Sequence, residues 1–273
     1  IARYRKEVTG SMDEVAIGNI KDVYEKMKAL VQRKETIIVT IEQQGKLTPE
    51  LKKRIDDCYD SLELEDIYLP YRPKRRTRAT IARERGLDPL ADLIMQQQCN
   101  DVKGRARGFV CADVPTADDA VAGACDIIAE RVSEDEGARN VVRRLFSRHG
   151  LLVSKVIKGK EGDGIKYSDY YEWQESISRI SSHRLLAIMR GEDEGYLRVS
   201  VTVDAEEAIS QLNRRLVKRF SPAREYMELA IADGYKRLLA PSIENETRNA
   251  AKEKADDEAI AVFAENLRQL LMS

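Results

Sequence analysis

The stretch LEDIYLPYRPKRRTRAT, residues 64–80, separates two regions of helical sequence. Its prolines, Pro70 and Pro73, break a helix and disfavour helical geometry in the residue before each of them. Two tyrosines and five cations lie between Tyr68 and Arg78. The stretch therefore predicts a basic loop, and the rest of the chain can be divided on either side of it.

Before the loop, the pattern is that of amphipathic helices. Ser11 and Glu14 have the spacing of a capping box, which predicts a helix start at this point. Apolar residues then recur at steps of three and four until Gly45, which ends the helical pattern. Thr48 and Pro49 predict the next helix start, because a proline in the first turn has no N–H to leave unpaired.

After the loop, helical patterns continue over most of the remaining chain. Gly86 ends a short helix, and further helix starts are predicted at Thr116 and at a second capping-box pattern, Ser133–Glu136. Pro241 is expected to stop or kink a helix. From Ser242 the pattern is helical almost to the last residue, which predicts a long connecting helix.

One segment has the period of a strand instead. Apolar residues alternate with polar ones from Leu197 to Val203, and the partner of this strand is expected in a remote segment, inside or outside the chain. Charged residues make up 34% of the sequence and aromatic residues 6%, which favours helices with solvated outer faces. The predicted fold class is all-α, with at most one or two short strands.

A helix-turn-helix-like element is predicted within this helical region. Ala82, Gly86 and Leu90 lie at intervals of four, which resembles the spacing of that motif. The second helix, from Pro89 to about Gln98, carries Asp92 and several glutamines but no Arg or Lys. Since base-reading helices normally present cations or amides at their N-terminal end, base reading by this helix is not expected.

Residue types that carry catalysis or metal binding are sparse. His149 and His183 are the only histidines, 34 positions apart, and neither has a metal-ligand spacing. The sequence contains no nucleophile elbow and no phosphate-binding or dinucleotide-binding glycine pattern. The prediction is a protein that is not an enzyme and that needs neither a metal nor a cofactor.

Net charge and cysteine content bear on how the protein could contact nucleic acid and on its cellular compartment. The net charge is −1, so nucleic-acid contacts would have to come from local patches. The four cysteines form no C-x-x-C pair, which favours reduced thiols and a cytoplasmic protein. The sequence has no apolar run near the ~18 residues that a membrane helix needs. Because the chain starts at Ile1 and ends on apolar residues, both ends are expected to be cut points in a longer protein.

Three basic clusters are candidates for phosphate contact. The first, Tyr68–Arg85, has seven cations and one acid; the second, Arg139–Lys160, has seven cations and no acid; the third, Gln211–Arg224, has five cations and no acid. Clustered Arg and Lys displace counterions from a nucleic-acid backbone. Alternatively, these cations pair with acidic helical sequence such as residues 244–258. The candidate binding residues are in the first cluster: Arg72, Lys74, Arg75, Arg76 and Arg78.

Several of these stretches resemble the Tex family of bacterial transcription accessory proteins. The similarity is carried by residues 1–10 (IARYRKEVTG), by residues 64–80, by Leu239–Glu244 and by residues 262–271 (VFAENLRQLL). Further matches are Ser182–Arg184 and Arg190–Glu192. The resemblance covers essentially the whole chain.

The resemblance implies a modular arrangement. The chain would be a multi-helix domain like the N-terminal region of Tex, divided into an N-terminal helical region at 1–67, a helix-turn-helix-like subdomain at 68–150 and a helical region at 151–273. The last region would lead to an RNase-H-like domain that this chain lacks. The family's principal RNA or DNA binding is associated with a C-terminal OB-fold domain, also absent here, and no catalytic residue is implied.

Three hypotheses for function follow. The first is a non-catalytic helical scaffold of a nucleic-acid-binding transcription accessory factor. The second is a protein-interaction module that docks transcription or translation machinery without touching nucleic acid. The third is an enzyme fragment that supplies part of a nuclease cleft.

Overall fold

The computed structural model describes residues 12–272, and the chain forms two compact units that divide between Lys74 and Arg75. Most of the described chain is helical, which confirms the predicted all-α class. The predicted boundary after residue 67 lies within the first unit. The predicted boundary after residue 150 lies within the second, whose buried core extends from Ala79 to Ala255.

From residue 12 on, the first unit contains three α-helices: α1 (Glu14–Gln43), α2 (Pro49–Asp56) and α3 (Ser61–Tyr68). Its small core consists of Ile37, Ile41, Ile55, Cys58, Leu64, Ile67 and Tyr68. Two predicted helix limits are confirmed: Gly45 has a left-handed backbone (φ +67°) after α1, and the Thr48 hydroxyl accepts a hydrogen bond from the Leu51 N–H. The Ser11 capping residue lies outside the described residues. Within them, the Asp13 carboxylate caps α1 by accepting from the Ala16 N–H at 2.7 Å.

The second unit contains nine α-helices among its described residues. They are α4 (Arg78–Glu84), α5 (Asp88–Gln96), α6 (Val102–Ala106), α7 (Ala117–Glu134), α8 (Glu136–His149), α9 (Ser182–Asp193), α10 (Ala205–Leu216), α11 (Arg224–Gly234) and α12 (Ala240–Met272). Helix α7 packs against α4, α5, α6 and α11. It is therefore the element around which the core of this unit is built.

The two predicted starts in this region had different outcomes. The helix start at Thr116 is confirmed, and it takes the form of a capping box: the Thr116 hydroxyl accepts from the Asp119 N–H and the Asp119 carboxylate accepts from the Thr116 N–H, both at 3.1 Å. The predicted box at Ser133 is wrong. Ser133 is buried at the end of α7, where its hydroxyl donates to the Glu130 carbonyl, and the cap of α8 is Asp135.

Three short strands form one antiparallel sheet in the order β2-β1-β3: β1 (Leu151–Val156), β2 (Glu172–Ser176) and β3 (Leu197–Thr202). Leu152 lies opposite Glu175 on one side and Val201 on the other. The strand predicted at 197–203 is confirmed, and its partner is in this chain. The sheet has one strand more than the expected maximum, because β2 is polar and half-exposed and has no strand-like alternation.

Helix α11 continues directly through a π-helical turn, Tyr235–Leu239, into α12. Pro241 lies in the first turn of α12, so of the two predicted outcomes, a stop or a kink, the stop is wrong. A proline cannot donate an intrahelical hydrogen bond, and its ring crowds the carbonyl four residues back. The wider π turn lies immediately before this proline, at the point where the helix must adjust. The 33 residues of α12 extend for about 50 Å.

Candidate nucleic-acid interface

The five predicted phosphate-binding residues lie within seven consecutive residues that end at the first residue of α4, and we call this segment the basic loop (Arg72–Arg78). All five side chains are exposed. Arg72 and Lys74 belong to the first unit, whereas Arg75, Arg76 and Arg78 belong to the second. Each part of the loop is therefore positioned by its own unit.

In the first unit, the loop begins after a short 3₁₀ turn, Leu69–Tyr71. The Arg72 N–H donates to the Leu69 carbonyl at 3.3 Å, and the Gln44 side-chain amide donates to the Tyr71 carbonyl at 2.7 Å. The Arg72 backbone is extended. These bonds fix the point at which the chain leaves the helical part of the first unit.

In the second unit, Thr77 joins the loop to α4. Its hydroxyl accepts from the Thr80 N–H at 3.0 Å and donates to the Glu130 carboxylate at 3.0 Å. Glu130 lies on α7, is only 5% exposed and also accepts from the Arg83 guanidinium at 2.6 Å. This buried carboxylate therefore fixes the end of the loop from which Arg76 and Arg78 project.

Little negative charge compensates the arginines of the loop. Arg76 pairs with Glu84 at 3.1 Å, and both side chains are more than half exposed, so the pair is weak. Within residues 12–272, Arg72, Arg75 and Arg78 take part in no ion pair within 4 Å. Burial raises the pKa of the Asp126 carboxyl, and the charges of Arg237 and Arg78 oppose that rise. The loop thus keeps an outward-facing positive charge.

The second basic cluster shows the internal pairing that was the alternative to phosphate contact. Arg139 is 3% exposed and pairs with Glu246 on α12, and the Arg143 guanidinium donates to the same carboxylate at 2.8 Å. These two cations bind the acidic part of α12 and are not available to a ligand. Arg144 and Arg148, on the other side of α8, are exposed.

The third cluster is only partly paired. Arg224 pairs with Glu228 at 2.7 Å, and Arg215 lies 3.8 Å from the Asp135 carboxylate. Arg214 and Arg219 are exposed. The expectation that any of these cations contacts phosphate stays a prediction at this point.

The helix-turn-helix-like prediction also stays a prediction. Helices α4 and α5 follow one another with Gly86 in a left-handed conformation between them (φ +75°). Both pack against α7. On α5, Asp88 and Asp92 accept hydrogen bonds from Arg131 at 3.0 and 2.5 Å. The outer part of α5 is therefore acidic and engaged within the protein.

Residues 12–272 meet neither the requirements of a metal site nor those of a membrane-spanning helix. That range contains no group of three or more His, Cys, Asp or Glu side chains arranged to hold a metal ion. No helix within it is both long and apolar enough to cross a bilayer. The four cysteines are all free thiols.

The fold and surface together define a mainly helical protein with a small antiparallel sheet and a basic loop at the point in the sequence where its two compact units divide. The chain belongs to the Tex-like family. Residues 97–263 match the family model described as Tex central region-like, and residues 1–42 match the Tex-like protein N-terminal domain.

Individual relatives agree with this assignment, and each match covers the whole of this chain. It is 41% identical to the uncharacterized protein YdcI of Bacillus subtilis, 36% identical to the transcriptional accessory protein Tex of Neisseria gonorrhoeae, and 27% identical to the human S1 RNA-binding domain-containing protein 1. The matches cover 38%, 37% and 29% of those proteins, respectively. The chain thus spans less than two fifths of the length of these relatives.

Proposed function

We propose that this chain is a non-catalytic helical scaffold region of a nucleic-acid-binding transcription accessory factor, and that the basic loop contacts RNA or DNA phosphates. The observation that carries this proposal is the exposure of all five cations in seven consecutive residues. Arg and Lys gain binding free energy by displacing the counterions of a nucleic-acid backbone. The Arg76–Glu84 pair is exposed and therefore weak, so the arginines of the loop retain charge for that purpose.

The names of the relatives support the same proposal. One relative is named a transcriptional accessory protein and another is named for an S1 RNA-binding domain. Most of the nucleic-acid affinity of the full-length factor is proposed to reside in domains that this chain does not contain. The factor is further proposed to work in the cytoplasm together with the transcription machinery, in keeping with its free thiols.

The test is salt-dependent binding to labelled RNA and DNA. We expect Arg75→Glu/Arg76→Glu to weaken binding and to lower the slope of log affinity against log salt by about 0.7 for each lost phosphate contact on a single strand. The matched control is Lys252→Glu/Lys254→Glu on α12, which changes the net charge equally and affects two exposed side chains. Equal affinities and slopes for the two double variants would refute loop contact.

A second candidate, the protein-interaction module, is favoured by a separate observation. Large apolar side chains on two helices are exposed: Val15, Ile20, Val23, Tyr24 and Met27 on α1, and Ile260, Phe263, Leu267, Leu270 and Leu271 on α12. Isolated exposed apolar residues are common, but such runs mark interaction surfaces. Capture of purified polymerase or ribosomes that survives nuclease treatment would support this candidate, and loss of all capture after nuclease would reject it.

The non-catalytic part of the proposal has its own test. Purified chain should not cleave RNA or DNA with Mg²⁺ or Mn²⁺ present. Nuclease activity that follows the chain through successive purification steps would overturn this part and revive the nuclease-cleft hypothesis.

A further inference from the structure

A second exposed basic segment lies in the loop between α10 and α11, residues 217–223, far from the basic loop in sequence. It carries Lys218, Arg219 and Phe220, all exposed, and Phe220 is 89% exposed. The Arg219 guanidinium carbon lies 5.3 Å from the centroid of the Phe220 ring. An aromatic ring fully presented to solvent beside cations needs an explanation, because burial of such a ring is normally favourable.

The loop is held in place by a buried polar residue. The side chain of Gln97 is inserted under it: its oxygen accepts from the Lys218 N–H at 2.8 Å, and its nitrogen donates to the Leu216 carbonyl at 2.8 Å. The Ser221 hydroxyl donates to the Gln97 carbonyl at 3.5 Å. Gln97 is 6% exposed, so this attachment is part of the protein interior.

Gln97 also adopts an unusual backbone conformation. It is the only non-glycine residue with positive φ among residues 12–272 (φ +59°, ψ +32°). Left-handed geometry costs free energy for a residue with a Cβ, and Gln97 adopts it at the C-cap of α5, where such geometry commonly ends a helix. Gln97 thus holds the loop through its hydrogen bonds, and the loop presents residues 218–220 at the surface.

The surroundings of the loop are also cationic. An open groove of about 710 Å³ runs beside it, and the cations that line this groove are Arg214, Arg219 and Arg224. Its two acidic residues are Glu206 and Glu228, of which Glu228 pairs with Arg224. The Lys218 ammonium donates a hydrogen bond to the Gln96 carbonyl at 2.9 Å. This bond orders the side chain and does not neutralise its charge.

We infer that this surface binds single-stranded nucleic acid, with Phe220 stacking on a base and with Arg214 and Arg219 contacting the adjoining phosphates. Aromatic platforms combined with cations are how proteins hold unpaired bases, because every base has a π-face. A protein partner fits less well, since protein interfaces group several apolar side chains, whereas Phe220 is the only large exposed apolar side chain in residues 217–223. The inference rests on the proposed nucleic-acid function but places a contact on a different surface.

The test uses the whole chain and a fluorescently labelled 12-nucleotide oligouridylate, with a duplex of equal length for comparison. We expect Phe220→Leu to weaken single-strand binding by at least about fivefold, because stacking is lost while an apolar side chain remains. Phe220→Tyr keeps an aromatic face and should bind within about twofold of the parent chain. Neither change should affect duplex binding or the thermal unfolding midpoint, since the side chain is exposed.

Arg219→Glu tests the phosphate contact separately. It should weaken binding and lower the salt slope by about 0.7, whereas Phe220→Leu should leave the slope unchanged. Photocrosslinking with 4-thiouridine should label the tryptic peptide Phe220–Arg224 in the parent chain.

Each possible result decides something. If Phe220→Leu and Arg219→Glu bind like the parent chain while Arg75→Glu/Arg76→Glu binds more weakly, this inference is wrong and the proposal that the basic loop contacts phosphates is supported. If instead the Phe220 and Arg219 variants bind more weakly and Arg75→Glu/Arg76→Glu does not, phosphate contact by the basic loop is refuted and this inference is supported. If the parent chain binds no oligonucleotide at low salt, both fail. Weakening of duplex and single strand to the same extent by Phe220→Leu would exclude base stacking.

Discussion

Burial gives the cysteines of this chain different reactivities at the scale of single residues. Cys125 lies on α7 with its sulfur 3.8 Å from the Tyr226 carbonyl of α11, and its burial, with the nearby Asp126 and Asp233 charges, raises the pKa of its thiol from 9.0 to about 12. Cys111 is exposed. Since the thiolate is the reactive form, only a small fraction of Cys125 is available to an electrophile near neutral pH.

We therefore expect iodoacetamide at pH 8 to modify Cys111 readily and to leave Cys125 unmodified until the chain unfolds, as measured by peptide mass spectrometry. The same shift has a consequence for stability. The unfolded thiol ionises near pH 9 and the folded thiol only near 12, so the contribution of Cys125 to stability is complete below pH 9 and is lost as the pH rises toward 12. Equal rates for the two cysteines in folded protein would contradict the assigned burial.

The pairing of Arg139 with Glu246 shows how far an ion pair can be predicted from sequence. The sequence places Arg139 in a cluster of cations and Glu246 in an acidic helix, and either could be at the surface. The structure buries Arg139 and joins the two across 107 positions. Local composition identified a candidate pair of regions, but only the packing of α8 on α12 selects the partner.

At the scale of elements, the crossing of α7 and α11 depends on one glycine. A Cβ on Gly234 would lie 2.7 Å from the Ala129 carbonyl oxygen and 3.1 Å from the Ala129 Cα. Both contacts are with backbone, which cannot rotate away. The absence of a side chain at this position is thus what allows the two helices to approach so closely.

Gly234→Ala is expected to lower the free energy of unfolding by about 1–3 kcal/mol, because the helices must separate. The measurement is urea denaturation followed by circular dichroism. The matched control is Gly162→Ala, where an added Cβ would meet nothing within 4 Å and φ is not positive, so stability should change little. Equal stabilities for the two variants would show that the crossing is looser than described.

The sheet is protected at one edge by side chains from two helices. On β3, the Val199 N–H donates to Glu192 at 3.1 Å and the Val201 N–H donates to Glu244 at 2.9 Å. Arg248 donates to the Val199 carbonyl at 3.1 Å. Unpaired edge groups invite pairing with other chains, and here α9 and α12 supply their partners instead.

Element boundaries could be predicted where the chemistry is local. Thr116 with Asp119, and the left-handed glycines Gly45 and Gly86, act on neighbouring backbone, so the sequence shows them directly. Strand β2 could not be predicted, because its residues EWQES are mostly polar and its order comes from pairing with β1. The attachment of the 217–223 loop by Gln97 was missed for the same reason, since the two are about 120 residues apart.

At the scale of the whole molecule, the basic loop is also the place where the two units divide. Residues 72–76 of the loop are exposed and lie between helices, which is the setting in which proteases cleave first. Trypsin cleaves after Lys and Arg except before proline, so Pro73 protects Arg72. Cleavage after Lys74, Arg75 and Arg76 remains accessible.

Limited trypsin digestion is therefore expected to accumulate a fragment that begins at residues 75–77, identified by mass spectrometry. A variant with Lys74→Gln, Arg75→Gln and Arg76→Gln should not yield it. Single-stranded RNA should slow this cleavage if the loop binds phosphate. Early cuts inside α7 or α8 with the loop intact would argue against the division into two units.

The π-helical turn at Tyr235–Leu239 acts as a one-residue spacer within an otherwise regular rod. Successive residues of an α-helix are rotated by about 100° around its axis. Removing one residue from this turn would restore α-helical spacing and would rotate the start of α12 by about that angle. Glu246 would then point away from Arg139, and Glu244 away from the edge of β3. The extra residue therefore sets the rotation of α12 relative to α11, so that the contact face of each helix is directed toward its own packing partners.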